Sequence, residues 1–273
     1  MRVVTLIENT EGARKCEIEH GLSLYIENEK NKILFDTGAT GKFIANAKTL
    51  GIDLLQVEQC ILSHGHYDHA GGILPFAERN KSAKIIIHQY AKGEFFHKDQ
   101  KEERYIGIDK RILELPQVEY TYGNVQLNEQ LYLFTVEQQN RLWPKGNQVL
   151  AEKCGNGFVQ DEFLHEQYLV ISEGDYKILV SGCAHKGIVN IIEKYKTIFG
   201  EEPQVVISGF HMRKKEGYTK DDIELIEQTA RELCKYHTKF YTGHCTGEEP
   251  YLIMKDIMGE QLAYLHSGDE III

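Results

Sequence analysis

The sequence predicts an α/β protein in which apolar strands, covered by helices, deliver polar side chains at their ends; it does not read as an all-β sandwich. Three observations carry this. Short apolar runs alternate with segments of helical spacing along most of the chain. Four of the runs end in a histidine within two positions of a glycine, at His64, His185, His211 and His244. The densest of these ends, after the run at 60–62, sets His64, His66, Asp68 and His69 within six positions and follows them with Gly71 and Gly72.

Residues 2–8 are rich in β-branched and aliphatic types and read as a buried first strand. Strands at 22–26 and 32–35 follow as a meander that stops at Asp36, Thr37 and Gly38. Asp36 is either a turn or helix-capping residue or a group that orients a ligand histidine through its second ring nitrogen. Residues 43–50 have helical spacing and stop at Gly51, and 60–62 is the strand that leads into the histidine cluster. A helix opens at 73–78, and Lys84 to Ile87 is a strong strand. Residues 88–130 are polar and lack sustained periodicity, as a substrate-covering insertion would; His88 and His97 within it read as surface or packing residues. Residues 131–134 form a strand, while 141–146, with the single Trp143, read as loop or pocket wall. A hairpin spans 168–171 and 177–180, and its second strand releases Cys183 and His185 together. Then come a helix at 187–195, a strand at 204–207 ending at His211, and a long helix from Asp221 whose acidic start suits the helix dipole. A strand at 239–241 ends at His244, a helix spans 248–258, and 271–273 closes the chain as an edge strand.

At 273 residues the chain can bury a sizeable core. Its formal charge of −10 disfavours a nucleic-acid surface, which needs a basic face; the local run Met212, Arg213, Lys214, Lys215 reads first as a solvated loop, although it could meet a phosphorylated small molecule. No stretch has the length of a membrane span, and the N-terminal apolar run is shorter than a signal-peptide core, so a cytoplasmic enzyme of small molecules is expected. Six scattered cysteines without a Cys-x-x-Cys pair suit reduced thiols.

Three imidazoles and a carboxylate in one short segment are a metal-ligand pattern. In extended backbone His64 and His66 face one side and can reach one ion, while Asp68 and His69, past the bend, can reach a second. Imidazole with carboxylate suits zinc, iron or manganese better than calcium or magnesium, which prefer all-oxygen shells.

The segment 62–72, Leu-Ser-His-Gly-His-Tyr-Asp-His-Ala-Gly-Gly, resembles the His-x-His-x-Asp-His signature of the metallo-β-lactamase superfamily. Segments 6–10, 19–23, 34–38, 181–190, 208–211 and 242–247 extend the resemblance, nearly from end to end, to the branch named after a dihydropterin-type ribofuranosylaminobenzene 5′-phosphate synthase. The resemblance implies a single αββα four-layer sandwich over 1–273. It implies two divalent ions: His64, His66 and either His185 or His165 around one, and Asp68, His69 and His244 around the other. The remaining position between them falls to Cys183 or a solvent oxygen. Zinc is the expected metal, with manganese and iron as alternatives.

A dinuclear site of this kind implies hydrolysis of a small-molecule ester, phosphate or amide, with Asp68 as proton acceptor and His211 as the donor that stabilises developing charge. The alternatives are the pterin-linked condensation for which the branch is named and an iron-containing redox protein.

Overall fold

The computed structural model describes residues 1–138 and 140–273. Its strands are Arg2–Ile7 (β1), Ser23–Glu27 (β2), Lys32–Phe35 (β3), Gln59–Ile61 (β4), Lys84–His88 (β5), Phe95–Lys98 (β6), Glu103–Tyr105 (β7), Val118–Thr121 (β8) and Val125–Gln126 (β9). They continue as Leu131–Phe134 (β10), Leu150–Cys154 (β11), Gly157–Gln160 (β12), Tyr168–Glu173 (β13), Tyr176–Val180 (β14), Val205–Ile207 (β15), Lys239–Thr242 (β16), Leu262–Tyr264 (β17) and Glu270–Ile272 (β18). The α-helices are Lys42–Thr49 (α1), Tyr67–Ala70 (α2), Ile73–Arg79 (α3), Ile188–Phe199 (α4), Lys220–Leu233 (α5) and Glu248–Met258 (α6).

Two compact units emerge, one of residues 1–122, 151–160 and 265–273, the other of 123–150 and 161–264. The first holds a seven-stranded sheet in the order β18-β1-β2-β3-β4-β5-β8. Its meander pairs antiparallel through β3, and β3, β4, β5 and β8 run parallel. Parallel strands of one sheet all end at the same edge, which is where α/β proteins gather ligand-binding groups. At that edge Phe35, Ile61 and His88 close their strands, so Asp36 and the histidine cluster emerge side by side. The core of this unit packs Leu34, Cys60, Ile85 and Ile87 against Phe43 and Ala47 of α1 and Ile73, Phe76 and Ala77 of α3. The alternate residues Ile33, Phe35, Ile61 and Ile86 are also buried, as parallel strands require.

The second unit repeats the plan with the order β17-β16-β15-β14-β13-β10-β9. Strands β14 to β17 are parallel, and the ends of β14, β15 and β16 release Cys183 with His185, His211 and His244 respectively. Its core joins Val170, Leu179, Val206 and Phe240 to Ile188, Ile191, Ile192 and Tyr195 of α4 and to Ile226, Ala230 and Leu233 of α5. The hairpin expected at 168–180 is present, with Glu173 opposite Tyr176 and Gly174 at φ 63° in the two-residue turn.

Two sequence readings need correction. Residues 88–130, aperiodic in sequence, contain β6, β7, β8 and the two-residue β9. Strand β8 extends the main sheet parallel to β5, while β6 and β7 join β11 and β12 in a small four-stranded sheet. These strands are short, burial does not alternate along β6 or β8, and β7 is exposed throughout, so no hydrophobic period marks them. The histidine cluster, read as a loop with a bend, contains the four-residue helix α2.

Helix α5 begins with a reciprocal capping box. Thr219 accepts from the Asp222 N–H at 3.3 Å, and Asp222 accepts from the Thr219 N–H at 2.9 Å. Burial by itself raises the Asp222 carboxyl, but hydrogen bonds from Lys214 at 2.6 Å and from Thr219 outweigh it and bring the pKa to about 2. Because this folded-state pKa lies below its unfolded value, the contribution is complete above pH ~4 and is lost as pH falls through about 2. Replacing Thr219 by Ala should cost about 1 kcal/mol of unfolding free energy in urea denaturation. Asp222→Asn should flatten the acid limb of the stability profile; an unchanged limb would show that the ion pair does not contribute.

Candidate metal centre

In the first unit the cluster rests on a buried carboxylate. Asp36 accepts the Ser63 N–H at Oδ1 (2.7 Å), and at Oδ2 it accepts the Ser63 hydroxyl (2.7 Å) and the His69 Nδ1–H (2.6 Å). Ser63 Oγ also lies 2.8 Å from His64 Nδ1. A serine has one hydroxyl proton, and it goes to the carboxylate, so His64 Nδ1 must carry the proton in its bond to Ser63. His64 and His69 are therefore both Nδ1–H tautomers, and Nε2 is the nitrogen of each that carries the lone pair suited to a metal. Their rings lie 4.1 Å apart between centroids, and those of His64 and His66 lie 4.6 Å apart. Asp68 Oδ2 lies 3.8 Å from His69 Nε2 and 3.3 Å from Nε2 of the half-exposed His20. The four residues that the sequence singled out in this segment are thus together and buried.

Two neighbours shape the segment. A Cβ on Gly65 would meet Phe95 at 2.9 Å and the Ala91 backbone at 3.0 Å, so a glycine is required there. His66 bridges to Gly107, and the Tyr67 N–H donates to Ile106 O at 2.8 Å. Ile106 and Gly107 therefore pack directly on the histidine cluster.

In the second unit His185 is held on every side. Asn147 accepts its Nδ1–H at 2.7 Å and donates to its carbonyl at 2.8 Å, so His185 is again an Nδ1–H tautomer with its lone pair at Nε2. The buried Glu166 accepts the backbone N–H groups of His185 (2.8 Å) and Lys186 (3.0 Å) and the Tyr168 hydroxyl (2.5 Å). Burial pushes the Glu166 carboxyl up against these bonds, which favour its charged form. Phe163 stacks on the His185 ring at 4.4 Å, and His211 lies 4.2 Å from it.

His165 differs. Its Nε2 donates to the buried Asp161 at 3.1 Å, which places the lone pair on Nδ1. His244 and His211 both take left-handed backbone angles, φ 51° and 50°, rare for residues with a Cβ. Cys245 was not singled out by the sequence. Burial raises its thiol, yet hydrogen bonds from Cys183 and His211 and the charges of His244 and His211 hold it well below the usual thiol range. Sequence reasoning also missed His20, Asn147 and Glu166. Only the first stood within a segment that carried a family resemblance.

The model of the metallo-beta-lactamase superfamily matches residues 18–189. The chain belongs to this superfamily. It is similar to the 7,8-dihydropterin-6-methyl-4-(beta-D-ribofuranosyl)-aminobenzene-5'-phosphate synthase of Methanocaldococcus jannaschii, at 29% identity over 98% of this chain and 95% of that protein. An uncharacterized protein of the same organism is 30% identical over 76% of this chain and 78% of that protein. A crystal structure of Tm1679, a metal-dependent hydrolase of the beta-lactamase superfamily, superposes with a TM-score of 0.84 at 26% identity, covering 100% of this chain and 99% of that one. The mixed α/β architecture is that of the superfamily. Membership implies binding of divalent metal, and the buried imidazoles, with Nδ1 engaged at His64, His69 and His185, fit that requirement.

If the bonds at Nδ1 orient the ligands, Asp36→Ala and Asn147→Ala should each weaken metal affinity about 10- to 100-fold while leaving the fold intact. Competition with a chromophoric chelator reads this directly, and unchanged affinity in both variants would refute the role.

Proposed function

We propose that this protein is a metal-dependent hydrolase acting on a small-molecule ester, phosphate or amide. The observation that carries the reading is the common tautomer of His64, His69 and His185, each with Nδ1 engaged by a neighbouring side chain. As superfamily resemblance implies, His64, His66 and His185 would hold one ion and Asp68, His69 and His244 a second, with zinc favoured by the imidazole content and manganese or iron as alternatives. Bound divalent ions supply Lewis acidity toward a substrate oxygen and lower the pKa of the water they hold.

The chain's own residues do the rest. Asp68 takes the proton released in the attack at a carboxylate oxygen, and His20 Nε2 at 3.3 Å orients that oxygen. His211 is half-buried, and its Nδ1 has no hydrogen-bond partner among the described residues, so its ring is suited to donate to a developing oxyanion. Phe163, stacked on His185, walls the ligand ring with apolar surface.

A second reading, condensation, is favoured by the identity to the Methanocaldococcus jannaschii synthase over nearly the whole chain. Incubation with candidate phosphate and carboxylate esters, beside the aminobenzoate and ribose phosphate components of a condensation, separates the two by product.

His64→Ala should lose bound divalent metal in elemental analysis and lose turnover with it. His211→Ala should lower kcat about 10²-fold with the histidine- and carboxylate-bound metal retained. Full metal retention in His64→Ala would remove the loop from the metal centre, and an unchanged kcat in His211→Ala would remove the donor role.

A further inference from the structure

The ends of β14, β15 and β16 bring two sulfurs and an imidazole together in the second unit. Cys183 Sγ, Cys245 Sγ and a ring nitrogen of His211 all lie within 4.8 Å of one another. Both cysteines are buried. Cys245 Sγ accepts the His211 backbone N–H at 3.3 Å and lies 3.6 Å from the Cys183 carbonyl. The space is made by Gly209: a Cβ there would stand 2.3 Å from Cys245 Sγ and 3.6 Å from Cys183 Cα. No disulfide joins the cysteines among the described residues.

We propose that Cys183, Cys245 and His211 form a binding site for a soft cation such as Zn²⁺, Cd²⁺ or Cu⁺. Thiolate and imidazole donors sit about 2.0–2.3 Å from such an ion and hence roughly 3.5–4 Å from each other, so donors already within 4.8 Å need only a small closure. Two sulfurs and one nitrogen select soft ions over magnesium or calcium. The assignment gives Cys183 to this cluster and not to the position between the two ions of the histidine–carboxylate centre. Occupation would also engage the His211 ring that the hydrolase reading aims at substrate, and that consequence alone rests on the reading.

Cadmium is the probe, because its bond to a thiolate gives a charge-transfer band in the ultraviolet. Titrating the metal-loaded protein with Cd²⁺ should produce this band, and a His64→Ala, His66→Ala double variant should keep it. Cys183→Ser and Cys245→Ser should each remove at least half its amplitude. Absence of the band, or a band that Cys245→Ser leaves at full amplitude, would overturn the site. Should a serine variant fail to fold, His211→Ala decides: it should bind Cd²⁺ at least tenfold more weakly, and undiminished affinity would refute the three-donor set. Absorbance and not turnover is the readout, so loss of the hydrolase reading would leave a positive result standing.

Discussion

The histidine cluster depends on one buried carboxylate. Asp36 is wholly inaccessible and would be costly in that position without partners, yet it accepts three hydrogen bonds from Ser63 and His69. Its placement follows from strand pairing. Phe35 lies opposite Ile61 in the parallel β3–β4 pair, so the residue after one strand meets the residues just past the other. The Asp36 backbone donates to Ile61 O at 2.9 Å and adopts φ 58°. An L-residue in that region bears strain, and the surrounding bonds hold it there. Thr37 extends the brace: its hydroxyl donates to His69 O at 2.8 Å and accepts from Gly72 N at 3.1 Å. Two residues after β3 thereby fix the histidine ring and the backbone that carries it.

The second unit solves the same problem with other chemistry. There a neutral amide, Asn147, grips both the ring and the carbonyl of His185, and a carboxylate, Glu166, grips the backbone N–H groups. An amide holds the imidazole tautomer without adding charge, whereas Asp36 adds a full negative charge behind His69. The Nδ1 partner is thus a carboxylate at His69 and an amide at His185, and the asymmetry is built into the residues behind the two rings.

The strands at the sheet centres were legible in the sequence because parallel strands buried on both faces leave unbroken apolar runs, as at 85–87, 178–180 and 205–207. The residues of the histidine cluster were legible because their spacing is dense and local. What escaped was set by contacts distant in sequence. Asn147 and Glu166 lie in polar stretches without period, 38 and 19 residues before the histidine they hold. The small sheet escaped because its strands of three to five residues are largely exposed and packed by single aromatic contacts, such as Phe96 with Tyr105 and Phe158.

Asp36 shows how far residue type reaches. In sequence it reads equally as a turn residue or as a group that orients a histidine; only the 33-residue return from His69 shows that the carboxylate holds that ring. The histidines divide on the same principle. His64, His69 and His185 are held at Nδ1, and His165 is held at Nε2 by Asp161, four residues before it. Asp161 reaches the Nε2 of His165 from the same stretch of chain, whereas the partners of His69 and His185 arrive from 33 and 38 residues away. The nitrogen left to carry the lone pair is thus decided by tertiary structure, and two histidines alike in sequence present opposite edges of their rings.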